Sequence, residues 1–543
     1  MKSLSAACAA GIWAALACCI AHAQVPSEKG CADLKQLKLA NAVVDSAEVV
    51  AAANTKLPPP LDILGEMKLP QYCRVKATAT PTPDSKIQIE VWMPLSTWNG
   101  EFLQIGNGGL AGSINSPVMM EHVSHNFAVA ATDDGHTGAG VDGSWAMGHP
   151  EKVIDFGYRA VHETSDKSKQ IVAAFYGKPA KYAYFNGCSE GGREAMMEAQ
   201  RYPEDFDGIL AGSSAHSWMQ LMTAFAWNSQ ALMKDPASYI PEAKRPAVEN
   251  AALAACGTQD GVTDKFVKDP LACKFDPAVL LCKGADGNDC LTAPQVKALK
   301  SVYDGAHNSA GEKIAAGYEP GGEAEPGLPG ISFSSYVFGP APMASLDVIF
   351  SSAFYGSFVF EKPKYSVLDL NFDTDIPLAA KKVGSVMDAT NPDLQAFKAH
   401  HGKLLQYHGW LDGSPSPLLS VEYYRRAESA MGGEKATQDF YRLFMAPGVM
   451  HCGEGPGPNS FGNMLDDSHY GDPDRDVFAA LRAWVEQGKA PASVVATKYT
   501  ADDPTKPVLM TRPLCPFPAQ AKWSGKGSSD DAANFKCVSA REH

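Results

Sequence analysis

The sequence predicts an α/β fold, in which a parallel sheet is covered on both faces by helices and split by one long insertion. Three observations carry that prediction. Short apolar strands alternate with amphipathic helices in two separate stretches of the chain. The residues between those stretches are loop-rich, and the chain's one G-x-S-x-G stands where a strand passes into a helix. Regular alternation of this kind calls for parallel strands joined by crossover helices.

The first element is not part of the fold. Residues 1–23 read as a secretory signal, with Lys2 at the start, an apolar run from Ala6 through Ile20, and Ala21-His22-Ala23 as the cleavage site that leaves Gln24 first. The expected destination is secreted or periplasmic, where disulfides persist. Residues 24–85 read as an N-terminal extension packed on the core, with short helices and the Pro-rich connector Leu57-Pro58-Pro59-Pro60. Strands are then expected at 87–93, which alternates, at 102–105, which runs into glycines, and at 127–132, an apolar run ending in Asp133-Asp134-Gly135. Residues 153–176 carry Ile154, Tyr158, Val161, Ile171, Val172 and Phe175 at helical spacing. A strand at 182–186 and a helix at 192–202 follow. Residues 213–400 break the alternation with loops, four cysteines and many Gly and Pro. It resumes with strands at 403–408 and 441–445 and helices near 418–431 and 477–487. The expected domains are 86–212 joined to 401–543, with 213–400 inserted.

Composition narrows the function classes. Of 543 residues, 45% are apolar and 20% charged, too apolar for disorder and too little charged for a coiled coil. A net charge of −14 offers no cationic field for polyphosphate, which argues against a nucleic-acid partner. Beyond the first twenty or so residues, no apolar run is long enough to span a bilayer. Removing Cys8, Cys18 and Cys19 with the signal leaves ten of the 13 cysteines, an even number suited to five bridges. Near-neighbour pairing would join Cys31–Cys73, Cys256–Cys273, Cys282–Cys290 and Cys515–Cys537 and leave Cys188 to Cys452; other connectivities remain open at this level.

Gly187-Cys188-Ser189-Glu190-Gly191 follows an expected strand and opens an expected helix, where a sharp turn would present the serine hydroxyl above the sheet. A serine needs a base, and the base a carboxylate, which in this type of site follow in the order Ser, acid, His at the ends of later strands. Asp412 comes after the strand at 403–408 and His451 after that at 441–445. His408, at a strand end, reads as a packing residue, and His136, His149 and His216 lack a partner at the right place in the order. Asp205 and Asp207 come too soon after the serine helix. Cys188 precedes Ser189 and Cys452 follows His451, so a bridge between them would tether nucleophile to base, worth roughly 5 kcal/mol on the loop-closure model, less any strain. Donors for an oxyanion are expected from the Glu190 amide and from the turn Gly106-Asn107-Gly108-Gly109-Leu110, at Gly109.

These residues resemble the tannase/feruloyl esterase family of α/β hydrolases, which includes mono(2-hydroxyethyl) terephthalate hydrolase. The resemblance runs through Trp98-Asn99-Gly100, Gly148-His149-Pro150-Glu151, Asp155-Phe156-Gly157-Tyr158-Arg159, Gly187-Cys188-Ser189-Glu190-Gly191-Gly192-Arg193, Tyr407-His408-Gly409, His451-Cys452 and Arg512-Pro513-Leu514-Cys515-Pro516. It implies an α/β-hydrolase fold with a large inserted lid domain and the Ser189, Asp412, His451 triad. It also implies Gly109 as oxyanion glycine, a Cys188–Cys452 disulfide and five bridges in all. A calcium loop in the lid is implied as well, of the form C-D-x-x-D-G-x-x-D-G-x. Asp260 and Asp264 would supply its carboxylates and Val262 and Phe266 its carbonyls, while Gly257 stands where an aspartate belongs. The implied function is a secreted serine esterase for aromatic (hydroxycinnamic or gallic) acid esters. The alternatives are a terephthalate-monoester hydrolase and a catalytically silent aromatic-ligand binding protein. The lid carries eight aromatics from Phe333 to Phe360 that could face an aromatic acyl group or form its own core, and from Ile314 to Glu361 it has no Lys or Arg. A terephthalate monoester would want such a cation, which ranks neutral acyl groups first.

Overall fold

A computed structural model describes residues 26–56, 66–327 and 330–539. The expected signal at 1–23 and the connector Leu57-Pro58-Pro59-Pro60 lie outside the described residues. A nine-stranded sheet organises the molecule. Its strands are β1 (Ala42–Val50), β2 (Tyr72–Ala79), β3 (Ile87–Pro94), β4 (Glu101–Ile105), β5 (Ala128–Thr132), β6 (Tyr182–Cys188), β7 (Gly208–Gly212), β8 (Lys403–Gly409) and β9 (Tyr441–Ala446). Their spatial order is β1-β2-β3-β5-β4-β6-β7-β8-β9. The run from β5 to β9 is parallel throughout. The β1–β2, β2–β3 and β3–β5 pairs are antiparallel. The sheet is therefore mixed, not parallel as expected. The stretch 24–85 supplies its first two strands, so the boundary expected at 85/86 falls in the turn between two paired strands of one sheet. The missed β1 is an edge strand, half-exposed and bulged between Val44 and Ser46, and so lacks a clean period of two.

Strand alternation divides the interior. Ala128 and Ala130 of β5 enter one core while Val129 and Ala131 enter the other. The helices used below are α1 (Ser116–Ser124), α2 (Ala160–Tyr176), α3 (Glu190–Arg201), α4 (Trp218–Met233), α5 (Arg245–Cys256), α6 (Ala293–Asp304), α7 (Leu346–Phe354), α8 (Pro417–Met431) and α9 (Val477–Gln487). α2, α3 and α8 cover one face, burying Ile171, Met196 and Tyr424 among others. α1 and α9 cover the second with Val123 and Leu481. Each large apolar side chain so covered contributes about 1.5–3 kcal/mol. α8 starts at a Ser416 cap with Pro417 in its first turn and ends at Gly432 in the left-handed region, the usual start and stop signals.

The inserted stretch has a core of its own, in which α4 packs against α6 and α7 and Phe225, Phe338, Phe354 and Tyr355 meet. The two cores do not divide at 213 and 400. Leu110, Ala146 and Phe156 join the insertion's core, and Ala389, Leu394 and Phe397 join the sheet's. Among the described residues no helix is long and apolar enough to cross a membrane. All ten cysteines among the described residues are bridged, as Cys31–Cys73, Cys188–Cys452, Cys256–Cys273, Cys282–Cys290 and Cys515–Cys537.

The Cys31–Cys73 bridge ties the helix Glu28–Asp33 to β2 across a separation of 42 residues. Replacing both cysteines by serine should lower unfolding free energy by about 4 kcal/mol on the loop-closure model, measured by urea denaturation with the far-ultraviolet spectrum of the native state unchanged.

Candidate active site

β6 ends in Cys188 and α3 begins at Glu190, which leaves Ser189 alone to turn the chain. Its backbone sits at φ 65°, ψ −118°, a left-handed conformation that costs a non-glycine residue of order 1–3 kcal/mol. Surrounding bonds hold it there. Its N–H donates to the Gly212 carbonyl at 3.0 Å, and its own carbonyl accepts from Arg193 N and Ala215 N, each at 3.1 Å. A Cβ at Gly187 would overlap the Gly191 backbone, so the turn closes only around a glycine.

The turn after β4 packs against this elbow. Asn107 accepts the Gly191 N–H at 2.8 Å through its carbonyl, and its own N–H donates to Glu194 Oε2 at 3.0 Å. Glu194 is buried on α3, and no motif or spacing along the chain marks it. Gly109, at φ +62°, faces the cavity with a backbone so close to the Gly140 carbonyl that a Cβ would overlap it. Glu190 is not among the residues of the cavity wall. Its carboxylate is ion-paired inside the protein with Arg193, whose Nε lies 2.9 Å from Glu190 Oε2. Burial nonetheless pushes that carboxyl up to about 7, against the pull of Arg193. Only the Glu190 amide is thus left for the oxyanion role assigned to it.

Asp412 and His451 come together as the sequence order implied. His451 Nδ1 lies 3.0 Å from each Asp412 oxygen. Both residues are buried, at 1% and 3% exposure, so the pairing is not diluted by water. Burial by itself would raise the Asp412 carboxyl. The neighbouring His451 and His408 imidazoles outweigh it and hold the group below its ordinary value. Ser414 N–H also donates to Asp412 Oδ1, at 2.7 Å. His408, expected to be a packing residue, is instead a second imidazole on the acid, its Nε2 lying 3.1 Å from Oδ2. Nothing in the spacing distinguished it, because contact with Asp412 depends on how the chain turns after β8. The remaining histidines and acids set aside earlier stay apart: His136 pairs with the Leu110 carbonyl, His149 with Asp84, and Asp205 with His162.

Ser189, His451, Gly109 and the bridged Cys188 and Cys452 line one cavity of about 250 Å³. The bridge spans 264 residues of sequence and sets the two Cα atoms 6.0 Å apart. The insertion closes the wall through Gly330, Ile331 and Tyr336. Its hold on the base is direct, since His451 N–H donates to the Ile331 carbonyl at 3.2 Å and the Tyr336 ring stands edge-on to the imidazole at 5.5 Å. Of the eight lid aromatics, Tyr336 alone is in the described cavity wall. Phe333, Phe338, Phe350, Phe354, Tyr355 and Phe358 are buried in the insertion's core, and Phe360 packs against it.

The residues expected to bind calcium do not fit the ion. Position 257 carries no carboxylate, Asp260 lies 2.7 Å from Lys268 Nζ, and Asp264 lies 2.9 Å from Arg512 Nη2. The Lys268 ammonium holds Asp260 below its ordinary value, while burial pushes Asp264 up against the pull of Arg512. Calcium wants six to eight oxygens with several carboxylates among them, and here the two that remain are each matched by a cation. Chelation with EDTA, or added calcium, should leave the thermal midpoint unchanged within about 1 °C. A fall on chelation that calcium reverses would mean that the loop takes the ion.

Comparison with known proteins agrees with this architecture. The family model described as tannase and feruloyl esterase matches residues 73–538. An uncharacterized esterase of Xanthomonas campestris pv. campestris is 39% identical, with 94% of this chain and 91% of the relative covered. A mono(2-hydroxyethyl) terephthalate hydrolase of Piscinibacter sakaiensis is 32% identical, with 87% and 85% covered. The crystal structure of feruloyl esterase B from Aspergillus oryzae superposes with a TM-score of 0.84 at 28% identity, covering 94% of this chain and all of that one (100%). With its family model, its relatives and its fold in agreement, the chain belongs to the tannase and feruloyl esterase family and is a carboxylic ester hydrolase.

Proposed function

We propose that this hydrolase cleaves esters of hydroxycinnamic or gallic acids through an acyl-enzyme on Ser189. The observation that carries the reading is a single ring: His451 pairs through Nδ1 with buried Asp412 and shares a cavity wall with Ser189. With Nδ1–H donated to the carboxylate, Nε2 is left as the basic nitrogen. Ser189 Oγ attacks the ester carbonyl carbon and its proton passes to His451 Nε2. The carbonyl electrons move onto oxygen, where the Gly109 and Glu190 amides receive the charge. The C–O bond to the alcohol then breaks, and His451 returns the proton to that leaving oxygen. Water repeats the sequence on the acyl-enzyme, with His451 again as base, and releases the acid and Ser189.

The wall supports an aromatic, uncharged acyl group. Ile105, Val118, Ile331, Tyr336, Tyr407 and Met464 supply apolar and aromatic surface, and no Lys or Arg stands among the described lining residues. The volume suits a one-ring acid. The free carboxylate of a terephthalate monoester would find no cation there, which ranks that substrate lower despite the relative that carries its name. Five disulfides support an oxidising destination, secreted or periplasmic, once residues 1–23 are removed.

Ser189→Ala should lower kcat on methyl ferulate or methyl gallate by about 10⁴-fold or more at unchanged thermal midpoint; retained turnover would remove Ser189 from the mechanism. An organophosphonate should label Ser189, whereas a silent binding protein would leave it untouched. In side-by-side assays, kcat/KM should be higher for methyl ferulate or methyl gallate than for the terephthalate monoester.

A further inference from the structure

We propose that His408 is a positioning residue for the hydrolysis, a second imidazole that grips Asp412 and so aims His451. The inference rests on the reading of Ser189, Asp412 and His451 given above. His408 Nε2 faces two acceptors, Asp412 Oδ2 at 3.1 Å and the Pro415 carbonyl at 3.2 Å, so that nitrogen carries the hydrogen. His408 Nδ1 lies 2.7 Å from Ser420 Oγ. Ser420 Oγ accepts an N–H from Gln406 Nε2 at 2.9 Å, and Gln406 Oε1 accepts from the Tyr441 hydroxyl, which sets the amide's orientation. With Gln406 donating to it, the Ser420 hydroxyl is free to send its own hydrogen to Nδ1. The donors then run in one direction, from Tyr441 through Gln406 and Ser420 to His408, whose Nε2–H meets the Pro415 carbonyl beside the carboxylate.

The whole series is dry. His408, Ser420, Gln406 and Tyr441 are each 0% exposed. No solvent can take over a lost donor there, and a buried carboxylate short of one hydrogen bond rotates or draws a proton. Asp412 accepts from Ser414 N–H and His451 Nδ1–H, and His408 Nε2, whose hydrogen bonds to the Pro415 carbonyl, stands 3.1 Å from Oδ2. Ser414 and the His408 ring edge fix where the carboxylate oxygens stand, and His451 takes its direction from them. His408 touches no reacting atom, so its effect reaches the chemistry only through Asp412.

The test measures kcat and KM for His408→Phe, His408→Gln and Ser420→Ala, each alone and combined with Asp412→Asn, on an activated aromatic ester. His408→Phe keeps the volume and removes the donor; kcat should fall about 10- to 100-fold with KM within about twofold. His408→Gln, which carries an amide N–H near the former Nε2, should recover kcat to within about threefold of the parent. In the Asp412→Asn background His408→Phe should cost nothing further, because the two act as one unit. The proposal is overturned by a kcat for His408→Phe within about twofold of the parent, or by an equal proportional loss in both backgrounds. Should His408→Phe not fold, Ser420→Ala decides on the same two criteria, with an expected loss of about 3- to 10-fold. A Ser189→Ala control separates the two levels: if it abolishes turnover while His408→Phe does not slow it, this proposal alone falls.

Discussion

Two sulfur atoms couple the parts of the chain that must meet. Cys188 closes β6 just before the elbow and Cys452 follows the histidine loop after β9, and the bond between them sets their Cα atoms 6.0 Å apart. Ser189 and His451 are each one residue away, so neither can drift far without dragging a covalent link. The elbow itself is a strained turn at φ 65°. Strain of that kind persists only where neighbours over-determine it. Gly212 from β7, Asn107 from the turn after β4 and the first turn of α3 all bond into the same few residues. Stability bound up in the surrounding sheet is thus spent locally on holding one hydroxyl at the rim of a cavity.

Charge is handled by the same density of contact. Arg193 is fully buried, and its guanidinium meets the Glu190 carboxylate and the Phe156 and Gly157 carbonyls just before α2. It also reaches the Met387 carbonyl at the far end of the insertion. A buried ion pair seldom adds net stability, but an unpartnered one is costly, so this cluster fixes geometry more than it deepens the fold. Asp412 follows the same rule. Burial works against its charge, and the His451 and His408 imidazoles outweigh it. The insertion is not a detachable cover, since Ile331 and Tyr336 contact His451 while Ala389, Leu394 and Phe397 sit in the sheet's core.

Much of this could be read along the chain because local patterns carry it. β3, β5, β8 and β9 are short buried runs or clean alternations, and α8 and α9 have regular apolar stripes, so their positions follow from burial and periodicity. Ser189, Asp412 and His451 were legible because each follows an identifiable strand, in an order that a sharp strand–helix turn makes meaningful. β1 was not legible, being an edge strand with a bulge, nor was β7, a five-residue strand that begins and ends in glycine. The lid aromatics could not be sorted into core and wall, since sequence records hydrophobicity and not which side of a helix meets a void.

By itself the sequence determined the alternating architecture, the candidate nucleophile with its acid and base, and a set of cysteines able to pair completely. Those features depend on residues near one another in the chain or on simple order along it. The tertiary structure alone decided that the first strands run antiparallel and that Tyr336 faces the cavity where Phe354 does not. It also decided that Lys268 and Arg512 meet the two aspartates of the lid loop, and that His408 turns onto Asp412. Each of these is a meeting of groups whose distance is set by how separate elements pack, and no spacing along a chain encodes the angle at which two elements cross.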